Sequence, residues 1–164
     1  MKRFRAPWGR ALVGISLLIA VICVVAAVSL LVVPHPPAPH AVFWLHEWAA
    51  GLLLALVAGA ALFTIRGYTI TPDAILVHRL FWDTRLSREG LLSATSQTQA
   101  MEGSLKLFGN GGMFSISGWF WSKKLGRFRA YATNLNCTVI LRWEHRTVVV
   151  SPDNAVEFVQ ELMG

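Results

Sequence analysis

Ala11–Val33 (ALVGISLLIAVICVVAAVSLLVV) contains no charged side chain, and Trp48–Ile65 (WAAGLLLALVAGAALFTI) is equally free of charge. Ala41–Leu45 extends the second run upstream, past His46 and Glu47. A bilayer core ~30 Å thick takes roughly 20 helical residues to cross. Both runs meet that length. The chain is therefore expected to be a membrane α-helical hairpin carrying one mainly-β domain. Residues 1–10 read as a basic cytoplasmic tail and 11–33 as the first span. Residues 34–41 read as an outer Pro/His loop, 42–65 as the second span, and 66–164 as the distal domain.

Lys2, Arg3, Arg5 and Arg10 precede the first run, and the loop Pro34–Ala41 has neither Lys nor Arg. The cation bias puts both termini in the cytoplasm and the loop outside. This makes the expected location a membrane that borders the cytoplasm, crossed twice. A cleavable signal peptide is the competing reading. The first run exceeds the about 7–15 residues of an h-region, and no Ala-x-Ala site with a polar start follows it. Cys23 falls mid-span and Cys137 in a distal strand, so no disulfide is expected in a reducing cytoplasm. The net charge of +6 owes four cations to the tail. The distal domain is too weakly basic to point to nucleic acid.

In the distal part, Gly67–Thr71, Ala74–Trp82, Arg85–Ser87, Leu91–Thr98, Gly126–Asn134, Thr138–Trp143 and Arg146–Val150 read as strands. Thr71-Pro72-Asp73 and Glu144-His145 are the expected turns. Met101–Leu125 is rich in Gly and aromatic residues. A closing amphipathic helix is expected, with Ser151 as N-cap and Pro152 at its first position. Val156, Val159 and Met163 recur on it beside Phe158 and Leu162. The order predicts a strongly bent antiparallel sandwich or partly open barrel, capped by the helix and able to fold without the anchor.

The runs Phe108-Gly-Asn-Gly-Gly-Met-Phe, Gly118-Trp-Phe and Leu125-Gly-Arg-Phe-Arg-Ala-Tyr-Ala-Thr-Asn, with Val148-Val-Val-Ser-Pro-Asp and Phe158, resemble the bacterial pleckstrin-homology-like (PH-like) domain family over Tyr68–Gly164. The resemblance implies a seven-stranded bent sandwich with a C-terminal helix, often preceded by two transmembrane helices. It implies no enzymatic activity.

Four features invite a functional reading. Trp119, Trp121, Lys123 and Lys124 join aromatic rings to cations, as a contact with anionic lipid or with a partner docked there would. The competing reading puts the tryptophans in the core. Gly109-Asn110-Gly111-Gly112 could form an anion nest, but glycines in a turn or bulge are the simpler account. Gly51, Ala55 and Gly59 form a small-residue ladder on the second span. It would pack against the first span or a second copy of the chain. His35, His40 and His46 with Glu47 flank the outer loop, and their spacing matches no helical metal pair. An accessory subunit of a membrane enzyme or transporter that used this loop is the alternative function. Eukaryotic PH domains that bind phosphoinositides use basic residues around the first strand–strand loop, and Thr71-Pro72-Asp73-Ala74 has none. The acids are scattered and no nucleophile elbow or paired carboxylates stand out. The expected function is non-enzymatic binding or scaffolding at the membrane face, with no cofactor and no metal.

Overall fold

The computed structural model describes residues 2–32 and 40–164. The Pro-rich loop lies outside them. Strand β1 (Lys2–Arg5) leads into helices α1 (Arg10–Val32) and α2 (His40–Leu62). Nine strands follow: β2 (Gly67–Ile70), β3 (Ala74–His78), β4 (Asp83–Ser87), β5 (Leu91–Ser96), β6 (Leu105–Met113), β7 (Ser115–Ser122), β8 (Gly126–Ala132), β9 (Val139–Trp143) and β10 (Thr147–Val150). Helix α3 (Ala155–Met163) closes the chain.

The strands form a four-stranded sheet, β1-β2-β3-β4, and a six-stranded sheet, β5-β9-β10-β8-β7-β6. All pairings are antiparallel except β8 with β10. The two-sheet sandwich with a terminal helix agrees with the expected architecture. The strand count exceeds the expected seven for two reasons. Met101–Leu125 holds a long hairpin, β6–β7, and the N-terminus contributes β1.

Strand β1 corrects the reading of residues 1–10 as a tail. Lys2–Arg5 pairs with β2 in the register Arg3↔Thr69 and Arg5↔Gly67. Phe4 is buried, with its ring 5.0 Å from that of Phe158. Three of the four side chains are cations that face outward or along the rim, so the segment reads as a solvated charge run. Only Phe4 marks the inner face. The distal domain is thus not self-contained at residue 66, because β2 has its outer hydrogen-bonding edge filled from before the helices.

One core lies between the sheets and under α3, and includes Phe4, Tyr68, Ile75, Val77, Leu141, Val150 and Phe158. A second covers the opposite face of the larger sheet with Ile116, Phe120, Phe128, Ala132 and Val149. Val148 and Val150 face the first core and Val149 the second, as alternation in a strand buried on both sides requires. The second core is roofed by Ala100, Met101 and Leu12. Leu12 belongs to the first turn of α1, so that turn is part of the domain.

Tyr68 ties the sheets together. Its hydroxyl donates to the Tyr131 carbonyl at 2.6 Å and accepts from the Ser151 N–H at 3.1 Å. Burial pushes its phenol up to about 12, against hydrogen bonds from Ser151 and the charge of Arg79. An unfolded tyrosine ionises near ~10. The folded value is the higher one, so this contribution is intact below pH ~10 and is lost as pH rises toward about 12. Tyr68→Phe should cost ~1–3 kcal/mol at neutral pH and remove part of the alkaline loss. Thermal unfolding of both chains across that range is the check.

The terminal helix begins later than expected. Its N-cap is Asn154, which accepts from the Glu157 N–H at 3.1 Å and donates to the Glu157 carboxylate at 2.9 Å. Residues 151–153 are committed elsewhere. The Ser151 hydroxyl oxygen accepts from the Thr133 N–H at 2.7 Å, and the Asp153 N–H donates to the Arg5 carbonyl at 2.9 Å. Phe158 and Leu162 are buried, whereas Val156 and Met163 are exposed.

Candidate functional site

Arg79 sits where α2 ends. Strand β3 stops at His78, and Arg79–Trp82 turn the chain, with the Arg79 N–H donating to the Trp82 carbonyl at 3.0 Å. The expected strand Ala74–Trp82 is therefore four residues too long. The Arg79 guanidinium is buried and donates to the Phe63 carbonyl at 3.0 Å, to Ser117 Oγ at 2.9 Å and to Thr84 Oγ1 at 3.3 Å. Phe63 directly follows α2, so Arg79 places a cation at the helix's negative end. Burial pulls its pKa down, yet a guanidinium stays protonated. No carboxylate pairs with it among the described residues.

From Arg79 a ladder of cations and rings crosses the face of the larger sheet. Arg79 lies 5.4 Å from the Phe63 ring, 5.9 Å from Trp82 and 5.5 Å from Tyr131. Arg129 lies 5.1 Å from Tyr131 and 5.7 Å from Trp119, and Arg127 is 4.8 Å from Trp119. The register builds this strip, because Trp119 faces Arg129 and Trp121 faces Arg127 across β7–β8. Phe108 and Leu105 continue it on β6. Trp121 is 40% and Phe108 78% exposed. Neither Trp119 nor Trp121 belongs to a core cluster. Lys123 and Lys124 are exposed in the β7–β8 turn. That turn lies at the far end of β7 from Phe114, whose N–H donates to Ser16 of α1 at 2.8 Å. At ~3.3 Å per residue the two ends are roughly 26 Å apart.

Residues 66–164 match the Bacterial PH domain family. The chain belongs to that family. Comparison with curated proteins and with solved structures gives no match.

The PH domain does not offer its first β–β loop as a phosphate site. Thr71 closes that turn on Ala74, and Arg88 spends its guanidinium on the carbonyls of Thr71 and Leu162, at 3.0 and 2.8 Å. The Gly-rich stretch is also occupied. Asn110 Oδ1 accepts from the Met113 N–H at 3.1 Å and the Gly112 N–H at 3.4 Å. Those donors therefore do not face an anion. Gly109 and Gly118 stand opposite each other, both at positive φ. A Cβ on either would come within 2.5 Å or 2.2 Å of a carbonyl oxygen on the other strand. These two positions need glycine so that the strands can meet.

On the PH domain's smaller sheet, Thr69 Oγ1 lies 2.7 Å from His78 Nε2, and His78 Nδ1 lies 2.7 Å from Asp83. This order resembles a nucleophile, base and orienting acid. Thr69 sits within β2, between β1 and β3. The N–H groups of β2 are spent on those ladders, so the strand provides no oxyanion pocket. In α2, a Cβ at Gly51 or Gly59 would meet nothing within 4 Å. The ladder Gly51, Ala55, Gly59 is thus turned away from α1, while Ala27 and Ala50 are buried. His35 lies outside the described residues, as does the side chain of His40. Among the described residues no group of three metal-ligating side chains gathers.

Proposed function

We propose that the protein is a non-enzymatic binding module. In this reading the two helices anchor it in the bacterial inner membrane. The PH domain stands at the cytoplasmic face and offers its Arg–aromatic strip, ending at Trp119, Trp121, Lys123 and Lys124, to an acidic partner. Both helices are long and apolar enough to cross a membrane, and only 11% and 6% of their apolar windows are buried. A core helix of a soluble protein would be mostly covered. The observation that carries the reading is the exposed end of the strip: the half-covered Trp119 ring held by the exposed Arg127 and Arg129, with Trp121 and Phe108 as an exposed aromatic rim. Rings held this way lose little entropy on binding, and Trp, Tyr and Arg dominate binding surfaces. The pairing of β1 with β2 supports termini on one side of the membrane, as does the cation bias. The Gly51, Ala55, Gly59 face of α2 is the one offered to a second copy.

A photo-crosslinking side chain at Trp121, in native membranes, tests the reading. An adduct with a protein should form at 121, whereas an adduct with lipid alone would contradict the reading, because this end of β7 lies roughly 26 Å from the end that meets α1. It should fall sharply when Lys123→Glu and Lys124→Glu are added, and a crosslinker at Glu144 should not give the same adduct. A chain that forms no adduct at 121 would contradict the binding role. A reporter active only outside the cytoplasm, fused after Gly164, should be silent.

A further inference from the structure

Two hairpin tips of the PH domain meet the two helix ends that face it. The β6–β7 tip reaches the start of α1. Ser16 Oγ accepts from the Phe114 N–H and donates to the Gly112 carbonyl at 3.4 Å, and the Trp8 and Phe114 rings lie 6.0 Å apart, edge to face. The β3–β4 tip reaches the end of α2, with the Phe63 and Trp82 rings 5.4 Å apart, also edge to face. Beyond Trp82 the tip is bare: Leu80 is 40% and Phe81 77% exposed.

We propose that the β3–β4 tip, Leu80-Phe81-Trp82, is seated in the headgroup layer of the lipid bilayer beside the exit of α2. This rests on the reading of α1 and α2 as membrane spans. The occupant follows from continuity. Trp82 packs on Phe63, and Phe63 is the first residue beyond an apolar helix, so whatever surrounds the end of α2 also surrounds the tip. Three consecutive large apolar residues on a turn are a liability in water. At a bilayer interface, ring and indole groups are favoured. The charges nearby agree. The acid that follows the tip, Asp83, is held by His78, while Arg66, whose N–H donates to the His78 carbonyl, is exposed and suits anionic headgroups. With Trp8 and Phe114 at the other helix, the domain has two aromatic feet, one at each span, and these set its tilt on the membrane.

The test uses the full chain in lipid nanodiscs, with Cys23→Ala and Cys137→Ser. An environment-sensitive fluorophore is attached in turn to Phe81→Cys, Leu56→Cys within α2, and Glu144→Cys on the β9–β10 turn. Because Phe81 is already exposed, its replacement leaves the fold intact. The probe at 81 should show blue-shifted emission and severalfold stronger quenching by lipids spin-labelled near the headgroup than the probe at 144. The probe at 56 should be quenched by labels deep in the acyl chains. If the probe at 81 behaves like that at 144 while 56 is quenched, the tip is not in the bilayer and the spans stand. If 56 is also unquenched, the membrane-spanning reading fails, and the seating of the tip fails with it.

Discussion

A chain cut at Arg66, where the family match begins, should be far less stable than the same chain with residues 2–5 restored. The register Arg5↔Gly67 leaves Ala6 and Arg66 facing each other. Residues 2–5 can therefore be joined to 67–164 through Asn-Gly, the preferred two-residue hairpin turn. Both chains lack the helices, so their difference reports β1 alone. Phe4 is buried against Phe158 and Tyr68 in the first core, and losing a buried Phe side chain costs ~3–5 kcal/mol. Without β1, the hydrogen-bonding groups of β2 also become a bare edge. Against a total of roughly 5–15 kcal/mol, the cut chain should be partly unfolded or aggregating at room temperature. Phe4→Ala in the full chain should reproduce most of the loss. Equal denaturant midpoints for the two short chains would show that β1 is an ornament of the sheet.

Arg79→Met should be the most damaging single substitution on the side of the domain that meets the end of α2. It leaves the Phe63 carbonyl and Ser117 Oγ without their donor. Hydrogen bonds to charged groups contribute about 1.5–3 kcal/mol each. The cost of burying the guanidinium offsets part of this, so the net loss should be about 3 kcal/mol. Arg79→Lys should not restore stability, because an ammonium cannot span three acceptors with a planar fork. Melting of the full chain in detergent, with protease sensitivity at the Ile65–Gly67 junction, reads both effects. A lysine variant with the parent's melting temperature would mean that charge alone suffices.

Much of the architecture is visible in the residues. The alternation in Gly126–Asn134 and the apolar run around Val148–Val150 become β8 and β10, because each side chain's face is set by its neighbours in sequence. What stays hidden depends on distant partners. Lys-Arg-Phe-Arg carries one inward side chain, and its charges look like an orientation signal for the membrane. Leu80–Trp82 continues the apolar character of β3 and contains no Gly or Pro to mark a turn. It turns because Arg79 is drawn to the end of α2. The β6–β7 hairpin is masked by glycines that look like a loop, until Gly109 and Gly118 are seen opposite one another. The Arg–aromatic strip is half legible: Trp119 through Lys124 stands out locally, but Arg127, Arg129, Tyr131 and Arg79 join it only through strand register and the packing of one sheet on the other.

For a chain anchored by two membrane spans, the β1–β2 pairing would also bear on biogenesis. The first strand emerges from the ribosome before either helix, and its partner follows both. If the helices span the bilayer, a nascent chain halted after one crossing leaves β1 on one side and β2 on the other, and the four-stranded sheet cannot close. The domain can therefore mature only in molecules whose hairpin has gone in and come back. Under that condition, completion of the sheet would report correct insertion, and a mis-threaded chain would keep the bare edge of β2.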